Sequence, residues 1–346
     1  MNSVSLRRSV TAPLLALLLP LAACGGGQKP QGPVDGAAAH AHLTKIVGFG
    51  PRPFGSDALA KTADYVCEEL KKLGLEPKRQ ELMHETEKKL IRNLYVQIDG
   101  EDPAKGPILM IGAHYDTKLA SGHDDAAHNF AFVGAIDGGG APATLLELAR
   151  VLKAQPKHKV NIWLYWIDAE ESIDWNWNDD RALLGSKAFC KMLSAEKVLP
   201  RVKAFVLLDL IGDQNYKIDR DGNSDQRLQE IFKAAGTTVG MADRMYRFPT
   251  EVEILQIKQE YARRGMQPKW GVTDDHNVFT NFGVPSVLLI DFERRVPGGQ
   301  EDPAYTRWWH TPADDLSQTS AESLAFAGDL VVAALPDLEA FCLGKK

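Results

Sequence analysis

Four stretches of this chain are apolar at nearly every position: PILMIGAHYD (107–116), KVNIWLYWID (159–168), KAFVLLDLIG (203–212) and VPSVLLIDF (284–292). Runs of this length without polar alternation predict β-strands covered on both faces. RNLYVQIDG (92–100) reads as a further strand. Other segments carry apolar residues at helical spacing: ALAKTADYVCEELKKLG with Gly74 as its stop, DGGGAPATLLELARVLKAQ after a glycine-rich entry, RALLGSKAFCKML, and the closing AESLAFAGDLVVAALPDLEAF. AHAHLTKIVGFGPRPFGSD predicts a short helix and a Gly/Pro turn, the polar section Asp225 to Arg264 two helices, and DDHNVFTNFG a short one. Apolar strands alternating with amphipathic helices define a single α/β domain with a central, mostly parallel (mixed) twisted sheet flanked by helices. In such sheets ligands collect beyond the carboxyl ends of the strands.

Those ends are where the polar residues fall. One run ends on His114 and Asp116, the next on Asp168, Glu170 and Glu171; a third carries Asp209 and the last Asp291, while Asp137 precedes three glycines that open a helix. A single acid at a strand end is usually a solvated turn residue or a cap. The whole set is less easily dismissed, because the topology brings it to one edge of one sheet. Clustered carboxylates repel each other unless something neutralises them. Zinc does so with three His, Asp or Glu ligands, leaving a fourth position open. Asp137 and Glu171 supply acids, and the nitrogen ligand comes from His114, His276 or His310. His310 also has a plain reading as the lead-in to a helix start at Thr311–Asp314. His123 and His128, in the polar loop SGHDDAAHN, are expected to be solvated.

Composition narrows the classes. With 346 residues, 44% hydrophobic, 25% charged and a formal net charge of −6, the chain is an ordinary globular protein. Its 40 Lys and Arg are scattered, so nucleic acid is not an expected partner. Residues 1–23 read as a secretory signal, with two arginines before an apolar run too short to span a bilayer. LAAC resembles a bacterial lipobox, which makes Cys24 the lipidated first residue of a mature protein. A plain signal peptide is the alternative. Residues 24–36 then form a flexible tether and 37–346 the catalytic domain, held by lipid at the periplasmic face of the cell envelope, on the outer membrane. Cys67, Cys190 and Cys342 are not a disulfide framework; buried thiols are expected, with room for one disulfide.

From about His42 onward the chain resembles the zinc-dependent metallo-aminopeptidases and, within that superfamily, the glutaminyl-peptide cyclotransferases (glutaminyl cyclases). The matching segments are GPRPFGS, HYDTK, FVGAID, LLELAR, DAEES, LLGSK, LLDLIG, DDHNVF and WWHT, in this order. The resemblance implies one zinc ion on Asp137, Glu171 and His310, with Glu170 as proton shuttle. It implies that Asp209 and Asp274 hydrogen-bond near the substrate amine, and that Trp309 walls the pocket. A second pocket tryptophan falls at Trp177 counting back from LLGSK and nearer Trp175 counting forward from Glu170; Trp177 is preferred. The implied reaction converts N-terminal glutamine of a peptide or protein to pyroglutamate with release of ammonia. A related aminopeptidase would instead hold two zinc ions, with His114 and Asp209 completing a second site around Asp137. A non-catalytic peptide-binding lipoprotein is a third reading. Ala113 before His114 removes a disulfide found in some cyclases, and RRVPGGQEDPAYTR (294–307) is longer than the family pattern implies.

Overall fold

The structure is a computed structural model that describes residues 32–268, 270–292 and 308–345. The signal and tether residues up to 31, with Cys24, and the insertion at 293–307 lie outside the described residues. Six strands form one sheet: β1 (Lys78–Met83), β2 (Leu90–Ile98), β3 (Ile108–His114), β4 (Asn161–Ile167), β5 (Val202–Asp209) and β6 (Ser286–Ile290), in the order β1-β2-β4-β3-β5-β6. The β1–β2 and β2–β4 pairs are antiparallel, and β4–β3, β3–β5 and β5–β6 are parallel. The mostly parallel, mixed sheet expected from the apolar runs is therefore present. β1 was not expected: KRQELM has no apolar pattern, and its exposure marks it as an edge strand that exists by pairing with β2.

The helices are α1 (Gly36–Val47), α2 (Asp57–Lys72), α3 (Ala141–Ala154), α4 (Leu184–Ala195), α5 (Gln226–Thr238), α6 (Glu251–Arg263), α7 (Asp275–Asn281) and α8 (Ala321–Cys342). Their starts are chemically marked: side chains of Asp35, Ser56, Asp225, Thr250, Asp274 and Ser320 accept hydrogen bonds from the first-turn amides. Alternation along β3 explains the layering. Leu109, Ile111 and Ala113 pack into a core shared with α1, α2, α3, α5 and α8, while Ile108 and Met110 pack with α4 and α7 on the other face. Cys67, Cys190 and Cys342 are all free and buried, so no disulfide forms among them. No described helix is long and apolar enough to cross a membrane.

The chain leaves β3 through α3 to β4 on one side, and returns through α4 to β5 on the other. The direction in which the chain winds across the sheet therefore reverses at β3, while the strands stay parallel, and the crevice beyond the carboxyl ends of β3 and β5 is the topological switch point. His114 ends β3 and Asp209 ends β5, so both arrive at this crevice.

Candidate active site

The acid pair after β4 is held by the loop after β3. Both carboxylate oxygens of buried Asp116 accept backbone N–H groups, from Glu170 at 3.1 Å and from Glu171 at 3.2 Å. The turn needs a left-handed residue, supplied by Ala169 at φ 53°. Lys118 follows on the same segment. Its buried ammonium donates to the carbonyls of Ser172 (2.7 Å) and Asp174 (2.9 Å) and stands 3.6 Å from Glu171 Oε2. The HYDTK segment thus aims Glu170 and Glu171 into the crevice through backbone contacts.

A second scaffold positions Asp137. Arg52, fully buried, donates to the carbonyls of Tyr115, Val133, Gly134 and Gly138 at 2.7–3.2 Å. Burial pulls its pKa down to about 10, which leaves it charged at neutral pH. Asp314 accepts from the amides of Ile136 (2.7 Å) and Asp137 (3.1 Å) across the turn that enters α3. Gly138 must be glycine: at φ 83° a Cβ would lie 2.0 Å from the Asp116 carbonyl. Gly138 therefore lets this loop press against the β3 end, while Gly140 lets it approach the Ile211 carbonyl after β5.

Within this frame Asp137, Glu171 and His310 converge, with one candidate ligand atom from each lying within 4.8 Å of the others. His310 Nε2 is 3.2 Å from Glu171 Oε1 and 3.3 Å from Asp137 Oδ2. No helix starts at Thr311; the next is a short 3-10 turn at Leu316–Gln318 capped by Asp315, and the next α-helix begins at Ala321, so helix entry does not explain His310. A second group, His114, Asp137 and Asp209, shares Asp137. Here His114 Nε2 lies 2.9 Å from Asp209 Oδ1 and 3.4 Å from Asp137 Oδ1. His276 is elsewhere, buried against Asp221 Oδ2 at 3.1 Å.

The residues fit a divalent cation. Asp137 Oδ2 is buried beside His310 Nε2 at 3.3 Å, and a buried carboxylate oxygen is costly unless something positive meets it. Burial favours the uncharged form of His310, but Glu171 and Asp137 override it and raise its pKa to about 10. Burial likewise pushes the Glu171 carboxyl up, while His310 and Lys118 pull it down to about 2. The two carboxylates hold positive charge between them, which is the chemistry of a zinc ligand set. Glu170 differs from its neighbour: burial raises its pKa well above the ordinary carboxylate value, with His114 opposing and Asp274 and Glu171 adding to the rise. Asp274 Oδ1 caps α7 at the Asp275 amide (2.6 Å), and its buried Oδ2 has no hydrogen-bond partner.

The aromatic wall differs from expectation in one member. Trp309 stacks on His310, with ring centroids 4.2 Å apart, as the WWHT pattern suggests. The Trp177 indole donates to Asp179, whereas the Trp175 ring lies 6.1 Å from the His310 ring. Of the two, Trp175 is the one whose ring meets the cluster's histidine. His123 and His128 are not simply solvated either. His128 stacks on Trp175 at 3.9 Å, and His123 meets both rings edge-on. Three positions whose scaffolding role the sequence did not reveal are Arg52, Asp116 and Asp314. Each works through the backbone of a distant segment, although GPRPFGS and HYDTK did flag the first two.

A sheet of this topology with a carboxylate–histidine cluster at its switch point defines an exopeptidase-like α/β protein, and the chain belongs to peptidase family M28, whose profile matches residues 93–335. Among solved structures it is similar to an Acidobacteriales bacterium glutaminyl cyclase, at 26% identity and TM-score 0.71 over 92% of this chain and 98% of that one. A Porphyromonas gingivalis glutaminyl cyclase shares the fold, at 21% identity and TM-score 0.71 over 88% and 99%. Curated relatives include the glutaminyl-peptide cyclotransferase of Drosophila melanogaster, 27% identical over 60% of this chain and 55% of the relative. Aminopeptidase YwaD of Bacillus subtilis (strain 168) is 30% identical over 66% of this chain and 40% of that protein. The chain spans about half the length of the curated relatives it matches.

Proposed function

We propose that this protein is a zinc-dependent glutaminyl cyclase with a single metal ion, acting on peptides or proteins that begin with glutamine. The observation that carries the single-metal reading is the contrast between the two ligand groups. Tetrahedral zinc with ligands at about 2.0–2.2 Å separates those ligands by roughly 3.3–3.5 Å. His310 stands 3.2 Å from Glu171 and 3.3 Å from Asp137, close to that spacing, and is 18% exposed toward an incoming substrate. His114 and Asp209 instead meet directly at 2.9 Å, with His114 only 2% exposed.

The reaction is an attack of the substrate's α-amine on its own side-chain amide carbonyl. Zinc held by Asp137, Glu171 and His310 would supply Lewis acidity that polarises the amide. The remaining work falls to the chain's own residues. Glu170, buried beside Glu171, takes a proton from the amine and returns one to the departing ammonia. The open Oδ2 of Asp274 accepts an N–H of the amine and keeps its lone pair directed at the carbonyl. Trp309 and Trp175 fold the glutamine side chain back and exclude water, which turns a sluggish amide attack into an oriented intramolecular one. The similarity to cyclases in sequence and fold supports the same reading.

A two-zinc aminopeptidase is the second reading, favoured by the shared Asp137 of the His114 group and by the resemblance to the Bacillus aminopeptidase. Incubating the zinc-loaded protein with a Gln-initiated and a Leu-initiated peptide separates the two. The cyclase reading expects loss of one ammonia from the first peptide and no cleavage of either. Release of the N-terminal residue would replace it with the aminopeptidase.

A further inference from the structure

The loop SGHDDAAHN has no part in the chemistry above, yet it walls a cavity of about 670 Å³. Trp175 is common to this cavity and the catalytic cluster: one neighbour is His310 at 6.1 Å, the other His128, stacked at 3.9 Å and 14°. Leu119 and Ile173 also line both this cavity and a small cleft that contains Glu171. The two spaces therefore share walls, and the cavity adjoins the site. An extended chain advances about 3.3 Å per residue, so the second and third residues of a bound substrate reach the Trp175 wall.

The charge of the lining is asymmetric. Its one arginine, Arg181, is held by both carboxylate oxygens of Glu87 at 3.0 Å and bonds Asp174 as well. Asp124 is exposed and has no ion-pair partner among the described residues, and Asp125 accepts the Ala127 amide and stands 3.4 Å from His128 Nδ1. A cationic side chain entering here meets one carboxylate with no ion-pair partner and a second that faces a histidine, beside an aromatic stack, which attracts it by charge and by the ring face. An acidic side chain meets repulsion.

We infer that this cavity is the subsite for the residues following the N-terminal glutamine, and that it selects peptides with a basic second or third residue. The inference rests on the cyclase reading. In this arrangement His123 and His128 buttress Trp175, while Asp124 and Asp125 set the preference.

The test compares pyroglutamate formation from the amidated peptides Gln-Ala-Ala, Gln-Lys-Ala, Gln-Ala-Lys, Gln-Glu-Ala and Gln-Ala-Glu at low ionic strength. We expect kcat/KM for Lys to exceed that for Glu by about 3- to 10-fold at one or both positions, the scale of partly exposed charge and cation–π contacts. That ratio should fall toward one in about 0.5 M salt, as screening predicts. It should fall likewise in the Asp124→Asn/Asp125→Asn double variant. Cyclisation of every peptide with no preference for Lys, or a preference that survives in the double variant, overturns the subsite. If no peptide is cyclised, Gln-Ala-Ala included, the cyclase reading falls and takes this inference with it.

Discussion

Two ligand groups share Asp137, and they differ in ways that composition does not disclose. The Asp137–Glu171–His310 group has histidine contacts of 3.2 and 3.3 Å, and its histidine is partly open. The His114–Asp137–Asp209 group is buried and closed by a 2.9 Å hydrogen bond. The first has the spacing and access of a catalytic metal site, and the second those of a support that orients Asp209 and one face of Asp137.

The strongest way to break this comparison is His310→Ala. It should bring zinc content, measured by elemental analysis, from one per chain to near zero and activity to background; full zinc occupancy would move the metal elsewhere. Glu170→Gln should retain zinc while kcat drops roughly 10²–10⁴-fold. Near-normal turnover would dismiss Glu170 as the proton carrier. His114→Ala sharpens the contrast: zinc should stay at one per chain, while unfolding shows a stability loss of about 1–3 kcal/mol because Asp209 loses its partner. A fall from two zinc ions to one would establish the aminopeptidase arrangement instead. Smallest is the pair on the wall. Trp175→Ala should raise KM several-fold, and Trp177→Ala should change it by less than about twofold; the reverse order would restore Trp177 to the pocket.

The architecture was legible because burial on both faces writes itself into composition. β3, β4, β5 and β6 are almost entirely buried, and each was visible as an unbroken apolar run. β1 was invisible for the opposite reason, since an exposed edge strand is specified by its partner and not by its own residues. The same limit applies around the site. DAEES and WWHT pointed to Glu170, Glu171, Trp309 and His310, but counting residues could not choose between Trp175 and Trp177, because loop geometry decides which ring turns inward.

By itself the sequence determined an α/β sheet, the strand ends on which the acids fall, and a family resemblance strong enough to name the reaction worth testing. Periodicity suffices for the first two, since each is a property of neighbouring residues, while the reaction is what the resemblance of nine segments in order implies. Only the tertiary structure decided that Asp314 holds the amides of Ile136 and Asp137, that Arg52 ties four carbonyls of the same corner, and that Asp116 aims the acid pair. Those bonds join segments far apart in the chain, so their partners exist only once the sheet has assembled. The distances that bring two groups of possible ligands together on Asp137 belong there too, because no spacing along the chain encodes them.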